Sequence, residues 1–102
     1  MENLLNETLA VLKSHKKTPA DVRWVQTTDP NACGSWDDFA QLADFEYDFG
    51  YGGNEVARSL KIVGDDWWLE RGEYDGSEWW EYMTKPIRCR RPVRLKAKHL
   101  RD

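Results

Sequence analysis

Four acids in the stretch 44–55, DFEYDFGYGGNE, stand at spacings a divalent cation can use. Asp44, Glu46 and Asp48 fall on the first, third and fifth positions of a calcium loop, and Glu55 falls on the twelfth. The sixth position, where such a loop turns on glycine, is Phe49, and no helical pattern follows Glu55. The spacing therefore reads as a strand with an acidic face. Cys33, Cys89, His15 and His99 are the ligand types of a structural zinc site, but they lack the close pairs such sites use. They read as two thiols and two surface histidines. Cys33 sits beside Gly34 just ahead of a helix start, but no histidine stands near it in sequence, so a nucleophile there has no support. Carboxylates recur at Asp65/Asp66, Asp37/Asp38 and Glu70/Glu73. Glycosidase-type acid–base work needs two of them about 5–10 Å apart across a cleft, and 102 residues offer little depth for one. GxSxG, P-loop, GxGxxG and HExxH motifs are absent. The reading is a protein that is not an enzyme and has no cofactor or metal.

Binding chemistry is better represented. Residues 1–84 carry 7 Lys/Arg against 17 Asp/Glu, a balance of −10, while residues 85–102 carry 8 Lys/Arg against Asp102 alone, a balance of +7. An acidic array of Asp37, Asp38, Asp44, Glu46, Asp48 and Glu55 suits the basic groove of a nucleic-acid-binding protein, with exposed aromatics as anchors. The alternative is that Arg88, Arg90, Arg91, Arg94, Lys96 and Lys98 contact nucleic-acid phosphates while exposed tryptophans stack on bases. The acidic body opposes that second use, and folding of the arm back onto the body is an equally good outlet for its charge.

The elements that must position these groups follow from periodicity and turn chemistry. Leu5, Leu9 and Leu12, with Leu4 beside them, predict an amphipathic helix over 3–16. Thr18-Pro19-Ala20-Asp21 has the grammar of one helical turn, and the alternation after it predicts a strand over 22–28. Ser35 and Asp38 open a second helix over 36–44. A meander over 56–63, 66–74 and 78–84 follows, turning at Gly64-Asp65 and Asp75-Gly76. The expected architecture is α+β: an antiparallel sheet of three to four strands with both helices mainly on one face. Residues 1–85 would form a single domain, and 86–102 a basic arm with a short helix near 94–100.

DDWWLERGEYDGSEWWEY, residues 65–82, holds two Trp-Trp doublets that a strand must split between its faces. A two-residue Gly64-Asp65 loop sets Ile62 against Trp67. A two-residue Asp75-Gly76 loop would set Glu73 against Glu78 and Glu70 against Glu81, which like-charge repulsion disfavours. A three-residue Tyr74-Asp75-Gly76 loop is expected instead, putting Arg71 opposite Trp79. One face then collects Leu60, Ile62, Trp67, Leu69, Trp79 and Met83. The other collects Lys61, Trp68, Glu70, Trp80, Tyr82 and Thr84. Trp68, Trp80 and Tyr82 become the expected exposed aromatics.

The elements Thr18 to Val25 (TPxDVxWV), Tyr47 to Gly52 (Y-D-x-G-Y-G) and Asp65 to Trp80 (DxWWLERxEYDGSEWW) resemble a family of small uncharacterised proteins encoded by phages and prophages of Gram-positive bacteria. The resemblance covers roughly residues 17–85, and the hairpin is its most specific part. It implies a phage accessory protein made in the cytoplasm of a bacterial host. Genes of that kind include anti-defence inhibitors, anti-CRISPR proteins among them. It implies no catalytic residues, and it does not extend to the arm. No apolar run approaches the roughly 20 residues of a membrane span. Nor does the N-terminus read as a secretory signal, so the cysteines are expected to be reduced.

Overall fold

The computed structural model describes residues 2–29, 31–47, 56–86, 91 and 93–101. Its first helix, α1 (Leu4–Ser14), begins at Asn3, whose side chain accepts from the Asn6 N–H at 3.0 Å. That bond satisfies one of the donors a helix start leaves open. The buried stripe of α1 is Leu4, Thr8 and Leu12 rather than the expected leucine set, and Leu9 is 38 % exposed. Thr8 can occupy a core position because its hydroxyl is satisfied twice. It donates to Leu4 O at 2.7 Å and accepts from Trp80 Nε1 at 2.8 Å. A single 3-10 turn, Pro19–Asp21, follows the expected grammar, with Asp21 accepting from the Thr18 N–H at 2.8 Å. The second helix, α2 (Trp36–Leu42), is opened by Ser35 and Asp38, which cap each other's backbone N–H groups at 3.2 Å.

The strands are antiparallel, and there are more of them than the alternation reveals. A five-stranded sheet runs in the order β3 (Cys33–Gly34), β2 (Trp24–Gln26), β5 (Lys61–Val63), β6 (Trp67–Tyr74) and β7 (Ser77–Thr84). A separate ribbon pairs β1 (Glu2–Asn3) with β4 (Glu46–Tyr47). The added members are two residues long, too short to show a period of two. The class is α+β, with a larger sheet than expected. Residues 56–60 do not extend β5: Leu60 N–H bonds Ala57 O at 3.2 Å in a turn. β2 likewise covers three residues of the expected 22–28.

Both hairpin registers depart from the sequence expectation. Ile62 stands opposite Leu69, and Gly64 N–H bonds Trp67 O at 2.9 Å, so the first loop is Asp65-Asp66. That shift of two residues leaves every side chain on its expected face. The second shift is of one residue and does not. Asp75 (φ 51°) and Gly76 (φ 83°) both take positive φ in a two-residue loop, the twist that matches two paired strands. Arg71 therefore faces Trp80 and Gly72 faces Trp79, so β7 presents the opposite residues to each side.

The repulsion that disfavoured this register is absorbed locally. Glu78 meets Arg71, and Glu73 meets Arg58 at 3.5 Å. Glu70 and Glu81 each accept an indole N–H from their own strand. The covered side thus holds Val25, Ile62, Trp67, Leu69, Trp80 and Tyr82 beneath α1 and α2. Among the described residues no helix is long and apolar enough to cross a membrane. In the arm, residues 91 and 93–96 and a 3-10 turn at Ala97–Leu100 are exposed.

Candidate functional site

The face of the sheet turned away from the helices has an ordered composition. One row across the strands reads Trp24, Val63, Trp68 and Met83, and the next reads Gln26, Lys61, Glu70 and Glu81. Trp79 follows, lying over Gly72 of β6. A Cβ on Gly72 would meet Trp79 Nε1 and Glu81 Oε1 at 2.6 Å, so the missing side chain is what lets the indole lie there.

Each of the three tryptophans donates its indole N–H to an acceptor two residues further on, the next side chain on the same face. Trp24 Nε1 bonds Gln26 Oε1 at 2.6 Å, Trp68 Nε1 bonds Glu70 Oε1 at 3.2 Å, and Trp79 Nε1 bonds Glu81 Oε1 at 3.2 Å. The spacing arises because alternate residues of a strand share a face. Chemically, it satisfies the polar edge of each ring internally, so that what the face presents is mainly π-surface. It also holds two carboxylates directly opposite one another among indole rings. Such a surface suits cationic side chains, which gain from ring faces and carboxylates together.

The expected site residues divide. Trp68 lies on the open face. Trp80 does not: it is 6 % exposed and bonded to Thr8 beneath α1. Tyr82 is also on the covered side, stacked between His15 (centroids 3.9 Å apart) and Trp67 (5.8 Å). The one-residue shift in β7 exchanges them for Trp79, and Trp24 joins from β2. The signal that could have found this set is the Trp-x-Gln and Trp-x-Glu spacing.

Asp37, Asp38, Asp44 and Glu46 are all exposed, but they belong to α2 and the segment after it, away from the tryptophan face. Asp38 is engaged in its cap, and Asp44 accepts from Asn3 Nδ2 at 2.9 Å. Asp48 and Glu55, like Arg88, Arg90 and Cys89, lie outside the described residues. Arg91, Arg94, Lys96 and Lys98 are exposed. His99 Nδ1 accepts from the Lys96 N–H at 3.0 Å. Among the described residues no group of three or more His, Cys, Asp or Glu side chains is placed to hold a metal.

Two further groupings lie on the covered side of the sheet. Under α1, Arg71 bonds Glu7 (3.3 Å), Glu78 (3.1 Å) and the Tyr47 hydroxyl (3.1 Å), with its guanidinium 4.7 Å above the Trp80 ring. Glu78 also accepts from the Val56 N–H at 3.1 Å, and Tyr47 donates to Glu7 at 2.5 Å. Burial, reinforced by the Glu7 carboxylate, pushes the Tyr47 phenol up to about 12. The Arg71 side chain is only 2 % exposed, so the cluster acts as internal bracing. On the helical side, a mostly apolar groove of about 400 Å³ lies between Val25, Phe39, Leu42 and Phe45. Its one described carboxylate, Asp38, is already used as a cap.

Outside both, Arg23 grips Asp65 with two bonds of 2.7 and 3.0 Å, tying the β5–β6 loop to the residue preceding β2. The Arg23 guanidinium holds the Asp65 carboxyl below its usual range. No family model, no curated protein and no solved structure matches this chain.

Proposed function

We propose that this protein acts by binding rather than catalysis, and that its open tryptophan face docks a basic surface of a partner protein. The observation that carries this reading is the set Trp24, Trp68 and Trp79, each with its N–H bonded on the face itself and with Glu70 and Glu81 between the rings. Aromatic anchors in a field of opposite charge are what a cationic partner needs for both affinity and orientation. The likeness of the hairpin to phage and prophage proteins gives the reading its biological setting. In that setting the protein is an anti-defence inhibitor of the anti-CRISPR type, working in the bacterial cytoplasm against a basic nucleic-acid-binding effector. The acids Asp37, Asp38, Asp44 and Glu46 then contribute long-range attraction rather than contact.

Affinity capture from host lysate with three baits tests this: the unaltered chain, Trp68→Ala/Trp79→Ala, and Asp37→Lys/Asp38→Lys. The expected result is a basic nucleic-acid-binding protein retained by the first, lost by the second and captured more slowly by the third. Equal capture by the first two overturns the reading.

The exposure of Arg91, Arg94, Lys96 and Lys98 favours a second reading, nucleic-acid binding through the arm. A gel shift comparing the unaltered chain with Arg91→Glu/Arg94→Glu, at low and high salt, separates the two.

A further inference from the structure

The arm combines two properties that a solvated tail has no use for. Val93, Leu95 and Leu100 are 78, 73 and 76 % exposed, among Arg91, Arg94, Lys96, Lys98 and Arg101. Val93-Arg94-Leu95-Lys96 alternates apolar and cationic side chains, and Lys96 has the extended backbone (φ −124°, ψ 161°) that puts them on opposite sides. A linker or a purely phosphate-binding tail needs the cations and not the aliphatic groups.

The complementary surface is on the same chain. The open face offers Trp24 and Trp79, 43 and 36 % exposed, beside Glu70 and Glu81. It belongs to a segment of net charge −10, facing an arm of +7. The described arm residues are nevertheless all exposed rather than buried against the body. The Cα radius of gyration is 16.5 Å, where a compact chain of this length has about 13 Å. Among the described residues, one molecule thus presents an uncovered apolar-cationic segment and an uncovered apolar-anionic face.

We propose that the arm of one copy lies across the tryptophan face of a second copy, and reciprocally. The resulting two-fold exchange uses both arms and both faces and leaves no open end. Val93 and Leu95 lie against the apolar row, while Arg94 and Lys96, on the segment's other side, bend their long side chains over its edges to Glu70 and Glu81. The inference rests on the reading of the face as a surface for cationic segments. It adds that the chain's own arm occupies that surface when no partner is present, so partner binding competes with self-association.

The test is sedimentation velocity of the full chain over a wide concentration range, at low and high salt. The expected result is a doubling of sedimenting mass with concentration that weakens as salt rises. Arm variant Val93→Ser/Leu95→Ser/Arg94→Glu and face variant Trp68→Ala/Trp79→Ala should each remain monomeric. Their mixture should form a heterodimer, because one intact arm and one intact face remain. The arm residues are exposed, so an unchanged urea midpoint for the arm variant excludes misfolding as the cause.

A full chain that stays monomeric overturns the inference, as does a dimer unaffected by the arm variant. A monomer whose tryptophan fluorescence shifts on arm substitution also overturns it, placing the arm on its own face. A synthetic peptide of residues 85–102 added to the arm variant reads the face separately. Binding by that peptide beside a monomeric full chain removes only the self-association; absence of binding removes the reading of the face as well.

Discussion

Arg71 is held from several directions at once, and its worth differs from that of any single bond it makes. Glu7, Glu78 and the Tyr47 hydroxyl accept from it, and the Trp80 and Tyr47 rings lie 4.7 and 5.5 Å from its guanidinium carbon. Removing it takes a charged hydrogen-bond partner from Glu78, whose side chain is 1 % exposed and which keeps the Val56 N–H. Arg71→Ala is therefore expected to cost about 3–5 kcal/mol in urea unfolding. Arg71→Lys should recover only part, because a single ammonium cannot reproduce the fork. Tyr47 sets an alkaline limit on the same cluster. Its folded pKa, about 12, lies above the ordinary value of 10.0, so the neutral phenol is the stabilised form. That stabilisation is whole below pH 10 and is lost as pH rises through about 12. Tyr47→Phe is expected to be less stable at neutral pH but to lose less further stability across that window, as followed by circular dichroism.

At the scale of the element, the β6–β7 hairpin shows how turn chemistry can overrule side-chain repulsion. A type I′ loop needs positive φ at both central residues, and Asp-Gly supplies it at little cost. The two opposed Glu pairs are then accommodated by donors on every side, which strand-by-strand pairing rules cannot see. Two glycines in this region make contrasting predictions. A Cβ on Gly64 would meet the Trp67 ring at 2.1–2.6 Å, and that ring is 3 % exposed and enclosed in the core. Gly64→Ala should cost about 1–3 kcal/mol by overpacking. A Cβ on Gly72 meets the ends of Trp79 and Glu81 on the open face, where both can swing away. Gly72→Ala should leave the urea midpoint within about 1 kcal/mol of the original. Under the proposed docking it should nonetheless weaken capture of a basic partner, since it dislodges the indole from its place.

The whole molecule separates its charges by position, with residues 1–84 acidic and residues 85–102 basic, the described ones among the latter exposed. Such segregation governs encounter and association far more than folding. It also makes a simple prediction about access. Limited trypsin digestion of the dilute protein should cut first after Arg94, Lys96 or Lys98, well before Arg71 or Lys17. Raising the protein concentration should slow those first cuts if copies cover each other's arms. The Arg23–Asp65 clasp contributes a pH effect at the other end of the scale. Because the Asp65 carboxyl is lowered by its partner, its contribution is present above the ordinary carboxylate range and fades as pH falls through the lowered value.

By itself the sequence determined the local devices, because each rests on neighbours in the chain. The Ser35/Asp38 box, the Pro19 turn, the strand alternation and the charge division between body and arm were all legible. It also determined that each Trp-Trp doublet must split across a sheet, since a strand admits nothing else. Which tryptophan of the second doublet faces outward was decided by tertiary structure. The two-residue Asp75-Gly76 loop sets the register of β7, and the Glu pairs it opposes are tolerated because Arg71, braced by Glu7 and Tyr47 from distant parts of the chain, meets Glu78. The two-residue strands β1, β3 and β4 likewise exist only through partners elsewhere in the chain. The candidate face was thus half legible: Trp68 by alternation, Trp24 and Trp79 only once the strands were laid side by side.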